Sequence, residues 1–310
     1  MIRIAMAGLA LGSALTAMPA LAQSPSTPEP PAFGPGRGKL LLTGGVSSIE
    51  GAAGGGLTPW ALTGGYATQG QLGATAFGTR VRTQAYALTS HGVALSLDDR
   101  VEASLAQQDF DTGPTGPGLG LPGLRLRQDI VGLKLRVAGE AVLDSDTWTP
   151  QVAVGMQHKR SNAGGLRSTL DSLGARHQDT DVYVSATKLF LSSGVLVNAT
   201  LRASRANQGG LLGFGSSGHG SHRLLPEVSV AWLLRKDLAV GAEYRAKPDN
   251  LNPSPLGAGL KEDDWKDLFV VWAPSKHLSL TLAWVDLGVI VPAVVPGRQT
   301  GAYLSAQLAY

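Results

Sequence analysis

Residues 300–310 read TGAYLSAQLAY, and this stretch decides the fold. Ala302, Leu304, Ala306, Leu308 and Tyr310 are apolar and fall at every second position. Ser305 and Gln307 between them are polar, and Tyr303 is amphipathic. Side chains alternate sides along a β-strand, so this segment carries one greasy face and one mostly polar face. Such a strand suits a transmembrane β-barrel, whose apolar face meets lipid while the other meets a wet lumen. The competing reading is the last strand of a soluble sandwich.

The rest of the chain favours the barrel. Arg3 precedes the apolar stretch Ile4–Leu21, and Ala20-Leu21-Ala22 precedes Gln23. A charged start, an apolar run and a small-x-small site predict a secretory signal peptide over Met1–Ala22. A Pro/Gly-rich tail, residues 23–38, follows. The chain has no cysteine, which excludes a lipoprotein, disulfides, thiolate metal sites and cysteine nucleophiles. An amphipathic C-terminal strand closing on an aromatic resembles the ending that the barrel assembly machinery reads in bacterial outer-membrane proteins. That machinery and outer-membrane lipid are the expected partners. Beyond the signal no stretch approaches the ~20 apolar residues of a membrane helix, and helices and closed barrels alone span bilayers. The formal net charge of +3 is small and scattered, so nucleic acid is not an expected partner.

Alternating segments of roughly ten residues recur back from the C-terminus: 277–287, 265–273, 237–247, 222–234, 194–206, 180–191, 148–159, 124–137, 100–108, 85–97, 72–82 and 57–68. Their connections alternate between short turns and long Gly/Pro/Asp-rich loops, the asymmetry of a barrel with periplasmic turns and extracellular loops. With the closing strand these make thirteen, and both termini in the periplasm require an even number. Taking KLLLTGGV (39–46) as the first strand gives a 14-stranded all-β, antiparallel, up-and-down transmembrane barrel over 39–310, the reading preferred here. The alternative is twelve strands with Lys39–Tyr66 folded inside as a plug.

GKLLLTGGVSSIEGAAGGGLTPWA (38–61), with LLGFG (211–215), LAVGAEYRAKPDNL (238–251), KEDDW (261–265) and LTLAWVDLG (280–288), resembles a proteobacterial family catalogued as domain of unknown function 3034. The resemblance spans essentially the whole mature chain. It implies an exported outer-membrane barrel and carries over no catalytic or ligand residues.

Motifs for chemistry are weak. The Gly-rich run 44–56 fails as a phosphate loop because Gly38-Lys39 is followed by Leu40 and position 33 is not glycine. A tight loop, or a segment packed in a narrow lumen, explains it better. There Glu50, the lone charge, is a candidate partner for a lumen Lys or Arg. His219 and His222 lack a nearby carboxylate for zinc. Glu262, Asp263, Asp264 and Asp267 lack EF-hand spacing and read as a solvated loop tip, with a weak surface calcium site as the lesser alternative. No G-x-S-x-G elbow occurs; His91, near Ser90 and mid-strand, is the one candidate base, with a Ser or Thr on a neighbouring strand as nucleophile, and a lumen or interface histidine without chemistry is the plainer reading. Neither a cofactor nor a metal is expected. The tryptophans, Trp60, Trp148, Trp232, Trp265, Trp272 and Trp284, lie mostly near strand ends, as interfacial girdles do, or else pack under loops.

The inferred polar face carries Arg80, Arg82, Lys134, Arg136, Arg202, Arg245 and Lys247 against Glu102 and Glu243. These nine are the candidate lumen-lining residues, and charged walls set ion preference. Alternatively, they pair with one another or with the N-terminal segment and fill the interior. The sequence is therefore read as a passive channel for small hydrophilic solutes with a mild anion preference. The rival is a plugged structural or adhesion barrel acting through long loops, with a lipid-modifying enzyme a distant third.

Overall fold

The computed structural model describes residues 38–142, 148–252 and 260–310. The expected signal peptide, most of the tail and the connection around Asp144–Asp146 lie outside them. Two short strands come first, β1 (Val46–Ser47) and β2 (Ala53–Gly54). Twelve longer ones follow: β3 (Leu72–Thr83), β4 (Ala87–Leu97), β5 (Val101–Asp111), β6 (Arg125–Ala138), β7 (Gln151–Asn162), β8 (Gln178–Phe190), β9 (Val195–Ser204), β10 (Arg223–Arg235), β11 (Leu238–Arg245), β12 (Trp265–Ser275), β13 (Leu278–Asp286) and β14 (Thr300–Ala309). Each of β3 to β14 pairs antiparallel with its sequence neighbours, and β14 pairs with β3 to close the barrel. Tyr310 donates its N–H to Ala74 O at 2.8 Å and accepts from Ala74 N–H at 3.0 Å, so the seam is bonded to the last residue. Closure leaves no unpaired edge.

The wall has twelve strands, which corrects the preferred count of fourteen and agrees with the plugged alternative. The segments 39–46 and 57–68 do not join it. They alternate like strands because they too have an apolar side to bury, and Val46, Leu57, Trp60 and Leu62 do so inside the barrel. The segment ends by returning along the seam, where Lys39 N–H donates to Tyr66 O at 3.1 Å.

Period-two burial runs along every wall strand. On β14, Ala302, Leu304, Ala306 and Leu308 point out while Tyr303, Ser305 and Gln307 are buried inside. Leu268, Leu282, Leu304 and Leu308 are each more than half exposed, an apolar belt that only lipid makes favourable. The protein is thus an outer-membrane β-barrel. Trp232 and Trp272 face out near one rim, with Trp284 near the other, whereas Trp60 and Trp265 are buried within.

At one end the turns are short: 98–100, 191–194, 236–237 and 276–277. At the other the loops 112–124, 163–177, 205–222, 246–264 and 287–299 are long; Leu124, Leu170, Leu212 and Leu251 from the first four share one apolar cluster, and 163–177 carries a short helix, α2 (Arg167–Ser172), after a first helix, α1 (Thr115–Gly118), in 112–124. The turn 84–86 is short at the loop end, and 139–150 is long at the turn end.

Candidate functional site: the plugged lumen

Residues 38–69 run through the bore, and their path is set by where backbone groups find partners. A buried N–H or C=O without a hydrogen bond is costly, and the plug has little regular structure of its own. The inner wall supplies what is missing. Ile49 O accepts from Ser90 Oγ and Gln108 Nε2, both at 2.7 Å. Ala61 N–H donates to Thr187 Oγ1 at 2.8 Å, and Ala61 O accepts from Gln151 Nε2 at 2.6 Å. Pro59 O accepts from Thr200 Oγ1 at 2.8 Å. The polar side of the strands is thus matched to a backbone rather than to open water.

Besides the Lys39–Asp99 pair at 2.6 Å near the short-turn end, three charged contacts fix the plug. The first is the tip of the β1–β2 hairpin, where Glu50 meets Lys159 Nζ at 2.5 Å, Arg245 at 2.7 Å and Arg202 at 3.4 Å. Asp181 and Glu227 complete the cluster: Lys159 lies 2.8 Å from Asp181, and Arg202 lies 2.6 Å from Glu227. Three cations face three anions, all nearly fully buried. In the second contact, Glu102 accepts from Ala53 N–H at 3.0 Å and Gly64 N–H at 2.6 Å, while Lys134, 3.1 Å away, donates to Ala53 O and Leu62 O. In the third, Glu243 accepts from Leu57 N–H at 2.7 Å and from the hydroxyls of Thr58 and Ser229.

Glycine permits this closeness. A Cβ on Gly55 would stand 2.0 Å from Glu243 Oε1, and Gly51, next to Glu50, turns the hairpin tip at φ +91°. That φ suits glycine and few other residues.

The nine expected lumen residues divide. Glu102, Lys134, Arg202, Glu243 and Arg245 face inward and are buried against the plug or its neighbours. Lys247 lies just past β11 with Glu262 at 3.5 Å. Arg136 sits at the lower rim, 2.6 Å from both Asp99 and Glu140. Arg80 and Arg82 correct the expectation, because both are exposed on the outer face of β3. The polarity of the wall inverts there. Toward the loop end, the outer positions of β3 to β7 are polar, with Arg125 and Arg127 paired to Asp109, whereas inward positions such as Val81 and Leu126 are apolar.

Sequence reasoning did not single out Lys159, Asp181 or Glu227, although each falls on the buried parity of its strand. His91 is exposed on the outer side of the wall, while its neighbour Ser90 turns toward the plug. The acidic cluster is dispersed: Glu262 takes Gln208 N–H, Asp263 takes Val289 N–H, Asp264 takes Tyr244 OH, and Asp267 is buried in the lumen. Among the described residues, no group of three or more His, Cys, Asp or Glu is placed to hold a metal.

Among the described residues, a large cavity lies on either side of the plug. One of about 870 Å³ lies at the short-turn end, bordered by Lys39, Asp98, Asp99, Arg136 and Glu140. The other, of about 400 Å³, lies under the long loops and is floored by Ile49 and Leu57.

No curated protein matches this sequence. Among solved structures, the NanC porin is similar at 10% identity and a TM-score of 0.49, covering 76% of this chain and 98% of that one. The KdgM porin in complex with disordered oligogalacturonate is similar at 7% identity and a TM-score of 0.48, covering 76% and 99%. Outer membrane phospholipase A from Escherichia coli is similar at 10% identity and a TM-score of 0.41, covering 76% and 89%. Porins and an enzyme stand side by side in this set, so none of their activities transfers. The chain belongs to the family described as Protein of unknown function (DUF3034), which matches residues 43–307.

Proposed function

We propose that the protein is an outer-membrane channel whose N-terminal plug is its gate, closed in this structure. The observation that carries the reading is the pair of cavities, about 400 and 870 Å³, at opposite ends of one bore with the plug between them. The plug is held by hydrogen bonds and ion pairs to the wall, with no described strand pairing between it and the wall. It can leave the bore without breaking the barrel ladder. The polar mid-barrel wall supports the hydrophilic solutes expected from the sequence.

The anion preference finds less support. On their lumen-facing positions the wall strands bury Lys134, Lys159, Arg202 and Arg245 against Glu102, Asp181, Glu227, Glu243 and Asp267, while Lys188 is buried on the opposite parity of β8. Four basic groups face five acidic ones. Arg80 and Arg82, expected from sequence in the lumen, lie outside.

A second reading, a structural or adhesion barrel acting through its loops, is favoured by the tight pinning of Glu50. Planar-bilayer recordings separate the two. The channel reading expects discrete openings in wild type and more frequent openings for Glu50→Gln. A silent wild type together with a silent variant would leave the structural reading in place.

A further inference from the structure

The interior changes chemistry along its axis. Around the plug the wall offers Lys159, Arg202 and Glu227; toward the loop end its inward positions become Val81, Leu126, Val285 and Trp265. The loops close over them with Leu121, Leu170, Leu212 and Ile290, and Ile49 and Leu57 of the plug form the floor. The enclosed space is about 400 Å³. Most of its few polar groups are already engaged, Trp265 Nε1 being a lining donor without a partner. Tyr86 OH and Thr115 Oγ1 bond to each other at 2.7 Å, and Thr112 Oγ1 donates to Leu124 O at 2.8 Å. The Gln208 amide donates to Ile290 O and accepts from Lys247 Nζ.

Water is a poor occupant of such a space, because an ordered water needs two to four polar partners. Vacancy is also unfavourable, since the lining atoms forfeit dispersion contacts on one side. The lower cavity has the opposite character, with ion pairs along its border.

We propose that the upper cavity is a binding site for an uncharged hydrocarbon about the size of two fused aromatic rings. An apolar cavity of ~150 Å³ holds one benzene, and this one is more than twice that size. Charge is excluded by the electrostatics. Arg245 and Lys247, which approach the Trp265 ring, are already matched by Glu50 and by Glu262, and among the described residues no other cation borders the space. The site goes beyond the channel reading, because it is complete with the plug in place and binding is read without current.

Naphthalene is the probe. Barrels in lipid nanodiscs are dialysed to equilibrium with it, and empty nanodiscs give the non-saturable uptake by lipid. Wild type should add a saturable component of one naphthalene per barrel. Leu170→Trp, which places an indole in the space from α2, should weaken it by at least about tenfold. Leu282→Trp, on the lipid face, should leave it unchanged. Leu212→Trp fills the same space from another loop and replaces the first variant if that one does not fold. A second measurement needs no variant: crystals under xenon pressure should show xenon above the plug. Absence of a saturable component in wild type, unchanged binding in a folded filling variant, or no xenon above the plug would each overturn the site.

Discussion

Glu50 concentrates the energetics of the lumen on one side chain. A buried carboxylate is tolerable only when paired and hydrogen-bonded, and here Lys159, Arg202 and Arg245 surround it while Asp181 and Glu227 balance the excess. Glu50→Gln leaves the cluster with one unmatched positive charge, and breaking a buried pair from one side costs about 3–5 kcal/mol. The variant should therefore show faster amide exchange across residues 46–60, with the barrel ladder still protected. Adding Lys159→Met removes the stranded charge and should recover part of the protection, a non-additive cycle. Additive losses would mean that Glu50 and Lys159 are not energetically coupled. That Glu50 seeks a basic partner was legible in the sequence, since it is the lone charge in a glycine-rich run. Which base it meets was not, because that depends on how deep the hairpin sits and on the register of three distant strands.

The wall strands were legible for a physical reason: each has lipid on one side and a polar filling on the other, so period two appears without any knowledge of neighbours. All twelve wall strands fall within a few residues of the segments read from the sequence. The errors came where that contrast fails. Segments 39–46 and 57–68 carry apolar residues for an interior rather than for lipid, and alternation alone does not tell these solvents apart. On β3 the alternation continues past the lipid belt, so Arg80 and Arg82 keep the outward parity of Ala74 and Ala76 while the polarity reverses. The belt itself yields a prediction. Leu282 projects outward from β13, opposite Leu304 and Val270 in the neighbouring strands. Leu282→Arg should cost about 2–4 kcal/mol in a reversible unfolding titration into lipid if it sits near the bilayer midplane. Stability and assembly equal to wild type would show that this face does not meet hydrocarbon.

Across the whole molecule, barrel and plug are separable structures sharing one space. Every wall pairing is made between wall strands, and the two shorter bonds at Tyr310 are to Ala74, with one longer bond from the plug's Tyr66 N–H at 3.4 Å. A chain lacking residues 39–66 should therefore still insert and close, its inner Ser, Thr, Gln and charged side chains exchanging plug backbone for water. What remains on the lumen-facing positions of the strands is four basic against five acidic groups, and wall charges act on ions through the local field. The deleted barrel should conduct in planar bilayers without the closures of the full-length protein. Its reversal potential in asymmetric KCl should lie close to zero, displaced if at all toward cations. Glu243→Gln with Asp267→Asn in the deleted background removes two adjacent carboxylates and should carry it to the anion side. A plug-free barrel that is strongly anion-selective would contradict this count and restore the basic lumen expected from sequence. Selectivity that ignores the double substitution would place the narrowest part of the pore at the rims, where Asp98, Asp99, Arg100 and Arg136 gather.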